Sequence, residues 1–459
     1  MKKDLQFSME VIHAHAAVID IGSRSHWVAV DQNPQNVREF GVYTKDHLLL
    51  IDYLRSHQII TVAMESTGTY WQTLFNALQS AGFKVILVKG SNTKNISGRK
   101  TDLLDCMWIQ KLHSLGLLSA SFILSDRMQT LRTYFDHREY LIGQASRYMN
   151  KIQKTLRLMN IRLDVAISDI TGKTGRAIID AILSGNRDPR HLASLADRRI
   201  KKSRTEIENS LHGQWRDDLL FELRSCLTFY DMYVAEIKIC DQKIEAVLQQ
   251  DLPQNDQTFQ LSNEPELKSS AKKKNKSSPG FNVRQLAFAH LKTDLFQIPG
   301  VSHTTVLSLL CKMGKDIHRF KTAKQFASWL RLVPDNKKSG GKIISTRTPN
   351  GKNSLAHSLR LAANTISNQK DHPLAPFFRR VAYRKGRGAA ITATARKLAI
   401  IIWNMIIKSQ SYKGYDYDMI NQKRKSAQLR NIRRRLTKLN LTDEEMKNLF
   451  PITNSESTS

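Results

Sequence analysis

Through the first quarter of the chain the apolar positions recur with two different periods, and each change of period marks a new element. Ala16-Ala17-Val18-Ile19-Asp20-Ile21-Gly22 reads as a buried strand, and His26-Trp27-Val28-Ala29-Val30 as its hairpin partner. Phe40-Gly41-Val42-Tyr43 reads as a third strand. Helical spacing follows over Asp46 to His57, a β run over Ile59 to Met64 ends at Glu65, and Tyr70 to Ala81 is helical again. Lys84 to Val88 is another strand and Asp102 to His113 another helix. The order βββαβαβα is that of an RNase H-like α/β domain, assigned here to residues 1–122.

Beyond it the pattern turns helical. From Arg127 to Leu163 there is no proline and one glycine, Gly143, while Leu131, Tyr134, Leu141, Ala145, Tyr148, Ile152 and Met159 recur three, four or seven apart. This predicts a long helix with a packing seam, and a second stretch, Leu219 to Leu248, suits an antiparallel partner. Residues 123–250 are therefore expected to form a helical coiled-coil region. Apolar periodicity vanishes from Asp251 to Pro279, around SSAKKKNKSSPG, so residues 251–285 read as a flexible linker or insertion. A mainly α-helical unit is expected over 286–410, ending in a helix from Thr392 to Ile407, and a polar, basic tail over 411–459. Within the unit, Ile298-Pro299-Gly300-Val301-Ser302 before a helical run suggests the turn of a helix-hairpin-helix segment.

Charge sharpens the picture. Lys and Arg number 71 against 41 Asp and Glu, a formal net charge of +30, which selects polyanions as partners. Between Arg379 and Arg435 sixteen Lys or Arg face two Asp. Arg433, Arg434 and Arg435 are candidate phosphate contacts, with a merely solvated charged helix and tail as the alternative. Cys106, Cys226, Cys240 and Cys311 are widely spaced with no CxxC pair, which predicts a reducing cytoplasmic setting and no zinc framework. Apolar stretches such as Leu398 to Ile407 fall far short of the roughly 20 residues that span a bilayer, so no membrane is expected.

Candidate chemistry lies in two places. Asp20 closes the first strand, Glu65 ends a later one, and Asp102 and Asp105 stand three apart at a helix start, a spacing that sends both from one helix face. Strand ends and a helix start can thus converge on one point. Hard carboxylate oxygens gathered there suit Mg2+, and two ions roughly 4 Å apart activate the attacking and stabilise the leaving oxygen of a phosphodiester. Each acid taken singly also reads as a turn or cap residue. His13 and His15, just before the first strand, read as surface residues.

The second place is Pro334 to Lys342, PDNKKSGGK, a loop by composition. Lys337, Lys338, Lys342 and Arg347 supply positive charge, and Ser339 is a candidate covalent nucleophile toward DNA phosphorus. A phosphate-binding or plain flexible loop is the alternative.

The runs IDIGSRSHWVAV, MESTGTYW, GRKTDLLD and IPGVSHTTVLSLL with RFKTAKQFASWLRLVPDNKKSGGK together resemble the DEDD transposases of the insertion-sequence-one-ten family. The resemblance covers Ala16 to Leu163 and Leu295 to Ala363. It implies a RuvC-like first domain in which Asp20, Glu65, Asp102 and Asp105 match the metal tetrad, and a transposase domain in which Ser339 matches the attacking serine. It further implies a bridge-RNA-guided recombinase acting on donor and target DNA as a dimer or tetramer with composite sites, cytoplasmic and nucleoid-associated. Two departures stand out: Arg331 where the family usually shows glycine, and an extra residue in Gly351-Lys352-Asn353. A junction-type metal-dependent nuclease without rejoining, or a non-catalytic nucleic-acid-binding protein, are the competing readings.

Overall fold

A computed structural model describes residues 10–65, 68, 70–88, 102–123, 125–250, 252, 277–351, 353–369, 372–412 and 417–438. The chain forms two compact units, the first ending at Leu124 and the second beginning at Ser125.

The first unit is built on β1 (Ala16–Ile21), β2 (His26–Ala29), β3 (Arg38–Phe40), α1 (Thr44–Ser56), β4 (Thr61–Glu65), α2 (Trp71–Ser80), β5 (Lys84–Val88) and α3 (Asp102–Ser114). The elements thus follow one another in the order the periodicity predicts. The third strand lies a few residues earlier than the apolar run at Phe40 to Tyr43. It is an exposed edge strand whose pairing with β2 is set by backbone hydrogen bonds, and Tyr43 instead precedes α1, where its N–H donates to Asp46 at 3.0 Å. The sheet order is β3-β2-β1-β4-β5, with β1, β4 and β5 parallel and β2 and β3 antiparallel.

Alternation along β1 sorts its residues between two cores. Ala17, Ile19 and Ile21 join Met64, Leu50, Leu54, Leu74 and Phe75 on one face. Val18 joins Ala29, Ala63, Val88, Cys106 and Ile109 on the other, under α3. Gly22 ends β1 because the turn into β2 is tight: its N–H donates to the Ser25 carbonyl at 3.0 Å, and an added Cβ would meet that oxygen at 2.5 Å.

In the second unit α4 (Asp126–Leu158) and α9 (Asp217–Gln250) run antiparallel, as contacts between Thr155 and Glu222, Tyr148 and Tyr233, and Arg138 and Asp241 show. Leu131, Leu141, Ala145, Ile152 and Met159 of the expected seam are buried, whereas Tyr134 is half-buried and Phe135 fills the interior beside it. Between the long helices lie four short ones, α5 (Leu163–Ala166), α6 (Lys173–Leu183), α7 (Pro189–Ser194) and α8 (Arg204–Ser210). They share a core of Ile178, Ile182, Leu192 and Ile207 with Leu156 and Leu223.

The chain continues through α10 (Val283–Leu291), α11 (His303–Lys312), α12 (Ala323–Trp329), the strands β6 (Lys337–Ser339) and β7 (Lys342–Ser345), α13 (Ser354–Ser367), α14 (Ala375–Lys385), α15 (Arg387–Lys408) and α16 (Tyr417–Lys438). Most of the expected linker lies outside the described residues, but Phe281 and Val283 are already buried, so packing resumes ahead of residue 286. The basic tail is helical over α16. Among the described residues α15 is the one helix long and apolar enough to cross a membrane, in contrast to the short stretch read from the sequence. Half of that window is buried, and α12, α13 and α14 pack against the helix. The four cysteines are free and buried.

Candidate active site and hairpin

The parallel register of β1 and β4 fixes the relation between two candidate acids. Ile19 pairs with Met64, so the next residues, Asp20 and Glu65, fall side by side where the two strands end. Glu65 is also aligned with Val88 of β5. Because side chains alternate, both acids occupy the face that carries Val18, Ala63 and Val88, the face covered by α3. Both are half-buried.

α3 is held on this face by polar contacts to the sheet backbone as well as by apolar packing. Cys106 donates its thiol to the carbonyls of Val18 (3.6 Å) and Trp27 (3.3 Å), and Gln110 donates to the carbonyl of Ala16 at 2.9 Å. Burial, followed by the nearby Asp20 charge, pushes the Cys106 thiol up to about 12 and keeps it protonated. Asp105 adjoins Cys106 and is half-buried, while Asp102 is the first residue of α3, one turn before Cys106. The Asp102 side chain lies outside the described residues, as do parts of the MESTGTYW and GRKTDLLD segments. Among the described residues no three His, Cys, Asp or Glu approach closely enough to hold a metal ion.

One histidine, toward the far end of α3, is neutral by burial. His113 of α3 bonds Thr61 at 3.2 Å and packs against His13, with ring centroids 5.3 Å apart. Desolvation, then the charges of His13 and Lys84, lower its pKa to about 4. His13 is thus half-buried rather than on the surface, while His15 is exposed.

In the second unit the predicted loop is a β-hairpin. Ser339 pairs with Lys342 across Gly340-Gly341, whose φ angles of 53° and 73° are those of a two-residue type I′ turn. The glycines are there for the hairpin twist, which any side chain would oppose. A register irregularity lies between Lys337 and Lys338, and Asp335 closes the base, its N–H donating to the Arg347 carbonyl at 2.8 Å. Ser339, Lys337, Lys338, Lys342 and Arg347 are all exposed, and among the described residues no side chain hydrogen-bonds the Ser339 hydroxyl. Exposed Ile343 and Ile344 share the hairpin.

The suspected helix-hairpin-helix turn is anchored inward. Gly300 has φ 83°, a Cβ there would press on Ile366 of α13, and His372 Nε2 bonds the Pro299 carbonyl at 2.8 Å. Ser302 caps α11 through the Thr305 N–H. Of the three tail arginines, Arg433 and Arg434 are exposed on α16, and the Arg435 side chain lies outside the described residues.

An α/β unit with acids at parallel strand ends, followed by a helical unit with a cationic serine hairpin, defines a protein built like a DNA transposase. Residues 17–161 match the DEDD IS110 transposase model and residues 292–379 match the model of the transposase IS116/IS110/IS902 family. The chain belongs to the IS110 family of transposases. It is 30% identical over 121 residues to the transposase for insertion sequence element IS1111A of Coxiella burnetii, covering 25% of this chain and 33% of that protein. It is 28% identical over 124 residues to a putative transposase, y4pF/y4sB, of Sinorhizobium fredii, covering 26% of this chain and 32% of that protein. The chain thus spans about a third of the length of these curated relatives.

Proposed function

We propose that the chain is a DNA transposase that cuts and rejoins strands with divalent metal and a serine nucleophile. The observation that carries the reading is that Asp20 and Glu65 stand side by side at parallel strand ends, on the face covered by α3, the helix that begins at Asp102 and includes Asp105. The donor set fits a hard divalent cation such as Mg2+, since it consists of carboxylates alone, with the neighbouring Cys106 thiol protonated. Asp20, Glu65, Asp105 and Asp102 would hold it. When bound, the metal supplies charge stabilisation at a phosphodiester undergoing in-line displacement.

Ser339 supplies the nucleophile. Its exposed hydroxyl loses a proton, an Oγ–phosphorus bond forms, and the bond from phosphorus to one sugar oxygen breaks, that oxygen taking a proton. The phosphodiester count is conserved, so a second transfer to a new sugar hydroxyl restores the serine and rejoins DNA. Lys337, Lys338 and Lys342 hold the strand electrostatically. We extend the proposal to a noncoding guide RNA and a dimer or tetramer sharing composite sites, in a cytoplasmic, nucleoid-bound setting, which family membership and the net charge of +30 support.

The test is strand cleavage of DNA carrying the element's ends, with Mg2+, by wild type, Asp102→Asn and Glu65→Gln. Loss of cleavage with DNA binding kept within about tenfold is expected, because the amides remove charge while preserving volume. Full Mg2+-dependent cleavage by Asp102→Asn would remove the tetrad from the mechanism.

A further inference from the structure

Between the base of the β6–β7 hairpin and helices α14 and α15 lies a cavity of about 720 Å³. Its walls are cationic, with Arg347, Arg384, Lys385, Arg396 and Lys397, and no carboxylate is among the described residues that line it. Leu332, Phe377, Val381 and Ile400 make up its apolar surface, or floor, and the Lys397 Nζ lies over the Phe377 ring, 4.9 Å from its centroid. The Arg396 Nε is buried with no hydrogen-bond partner, a donor with a standing cost unless a ligand accepts from it. Gly388 and Ala389, in the first turn of α15, also face the cavity, and that helix start has no side-chain cap. Each of these features favours an anion, and the floor adds a preference for an attached flat or apolar group.

We infer that this cavity receives one unpaired nucleotide of a bound strand, its phosphate on Arg347, Arg396 and the α15 amides and its base on the Phe377–Val381–Ile400 floor. Duplex phosphates lie on a convex surface whose bases are already stacked. A concave pocket of this volume with an apolar floor is therefore better matched by a single nucleotide free to leave the stack. The inference rests on the nucleic-acid reading given above and deepens it, assigning the pocket beside the serine hairpin to strand recognition.

The test uses the full chain with two fluorescent probes, a short oligothymidylate and a DNA duplex of equal length. Ala393→Phe fills the cavity while keeping every cation; Arg396→Met removes the guanidinium, with its buried Nε, while keeping much of the side-chain volume. Each variant is checked by thermal melting. Both are expected to weaken the single-stranded probe about tenfold and the duplex less than twofold, since the base no longer reaches the floor and at most one phosphate goes unheld. Equal losses on both probes would replace the nucleotide pocket with a general phosphate track, and no loss on either would overturn it. A wild-type chain that binds neither probe would instead overturn the nucleic-acid reading beneath it. Should Ala393→Phe fail to fold, Arg396→Met decides on the same two probes.

Discussion

Arg331 and Gly351 occupy each other's space: the Arg331 guanidinium donates to the Asn350 carbonyl and lies where a Cβ on Gly351 would stand. Both backbones are in the left-handed half of φ space, at 56° and 124°. Arg331 and the Gly351 turn therefore form one contact. Arg331 tolerates a conformation that glycine accepts freely, and the arginine's hydrogen bond offsets part of that cost.

The coupling predicts a non-additive cycle. Gly351→Ala should destabilise by about 1 to 3 kcal/mol, through the clash and the positive φ. Arg331→Gly should be near neutral, because relief at φ of about 1 kcal/mol opposes removal of the hydrogen bond. With the guanidinium gone, alanine at 351 meets less, so the double variant should be more stable than the two single effects sum to. Urea midpoints of the four proteins check this; strict additivity would show that the contact carries no energy.

Arg138, fully buried in the α4 seam, predicts a larger effect. Its Nε donates to Asp241 at 2.5 Å and its Nη2 to the Ser277 carbonyl at 2.9 Å, while Asp241 also accepts from the Gly280 N–H at 3.0 Å. One ion pair thus ties both long helices to the segment that precedes α10. Arg138→Met strands a buried carboxylate and should cost about 3 to 5 kcal/mol. Arg138→Met with Asp241→Leu should recover much of it, leaving the Gly280 amide unsatisfied at about 1 to 3 kcal/mol. A double variant no better than the single would show that the pair's charges are not what the fold depends on.

His113 makes the first unit acid-sensitive. Its folded pKa of about 4 lies below the ordinary 6.5, so as pH falls the unfolded chain takes up the proton first. The stability it contributes is present above about 6.5, declines between there and about 4, and is lost below, about 3 kcal/mol in all. His26, lowered by burial and then by the His47 charge, acts in the same direction. His113→Gln retains a hydrogen-bonding group for Thr61 without titrating, and should flatten the fall in urea midpoint between about pH 6.5 and 4. An unchanged slope would clear His113 of the role.

The strands and helices of the first unit are legible in the sequence because their apolar residues alternate cleanly and one face meets a core. Asp20 and Glu65 are legible as strand ends, and the register that makes them neighbours follows once β1 and β4 pair in parallel. The hairpin at Lys337 to Ser345 does not read as strand: its only apolar pair, Ile343-Ile344, is adjacent rather than alternating, and both are exposed. Gly340-Gly341 is the available signal, since paired positive φ angles favour that dipeptide. Arg138 resembles a surface residue in the sequence because its partner lies on another helix, far along the chain. The short helices α5, α7 and α8 are too brief for a helical period to register, whereas α6 carries Ile178, Ile179 and Ile182 at helical spacing and is legible.

Exposed lysines on the hairpin should be visible in salt dependence. Lys337, Lys338 and Lys342 flank Ser339 with side chains in solvent. Changing all three to Ala should flatten the slope of log K against log salt by about 0.7 to 0.9 for each phosphate no longer neutralised. The same measurement on Arg433→Ala/Arg434→Ala reports whether α16 tracks phosphate. A slope that stays at the wild-type value would leave either set as solvated surface.

Ser339 separates rejoining from simple cutting. A seryl phosphodiester conserves the energy of the broken bond, so a stalled reaction denatured in detergent should yield a protein–DNA adduct that protease removes. Ser339→Ala deletes one exposed oxygen beside a glycine turn. It should therefore fold and bind DNA as wild type does, with the same urea midpoint, while forming neither adduct nor joined product. A metal-dependent nuclease that uses water would tolerate the change and release free ends, because its nucleophile is not protein. Mass spectrometry of the adduct places the attachment: a peptide without Ser339 would move the nucleophile elsewhere, and normal joining by the alanine variant would exclude a covalent serine altogether.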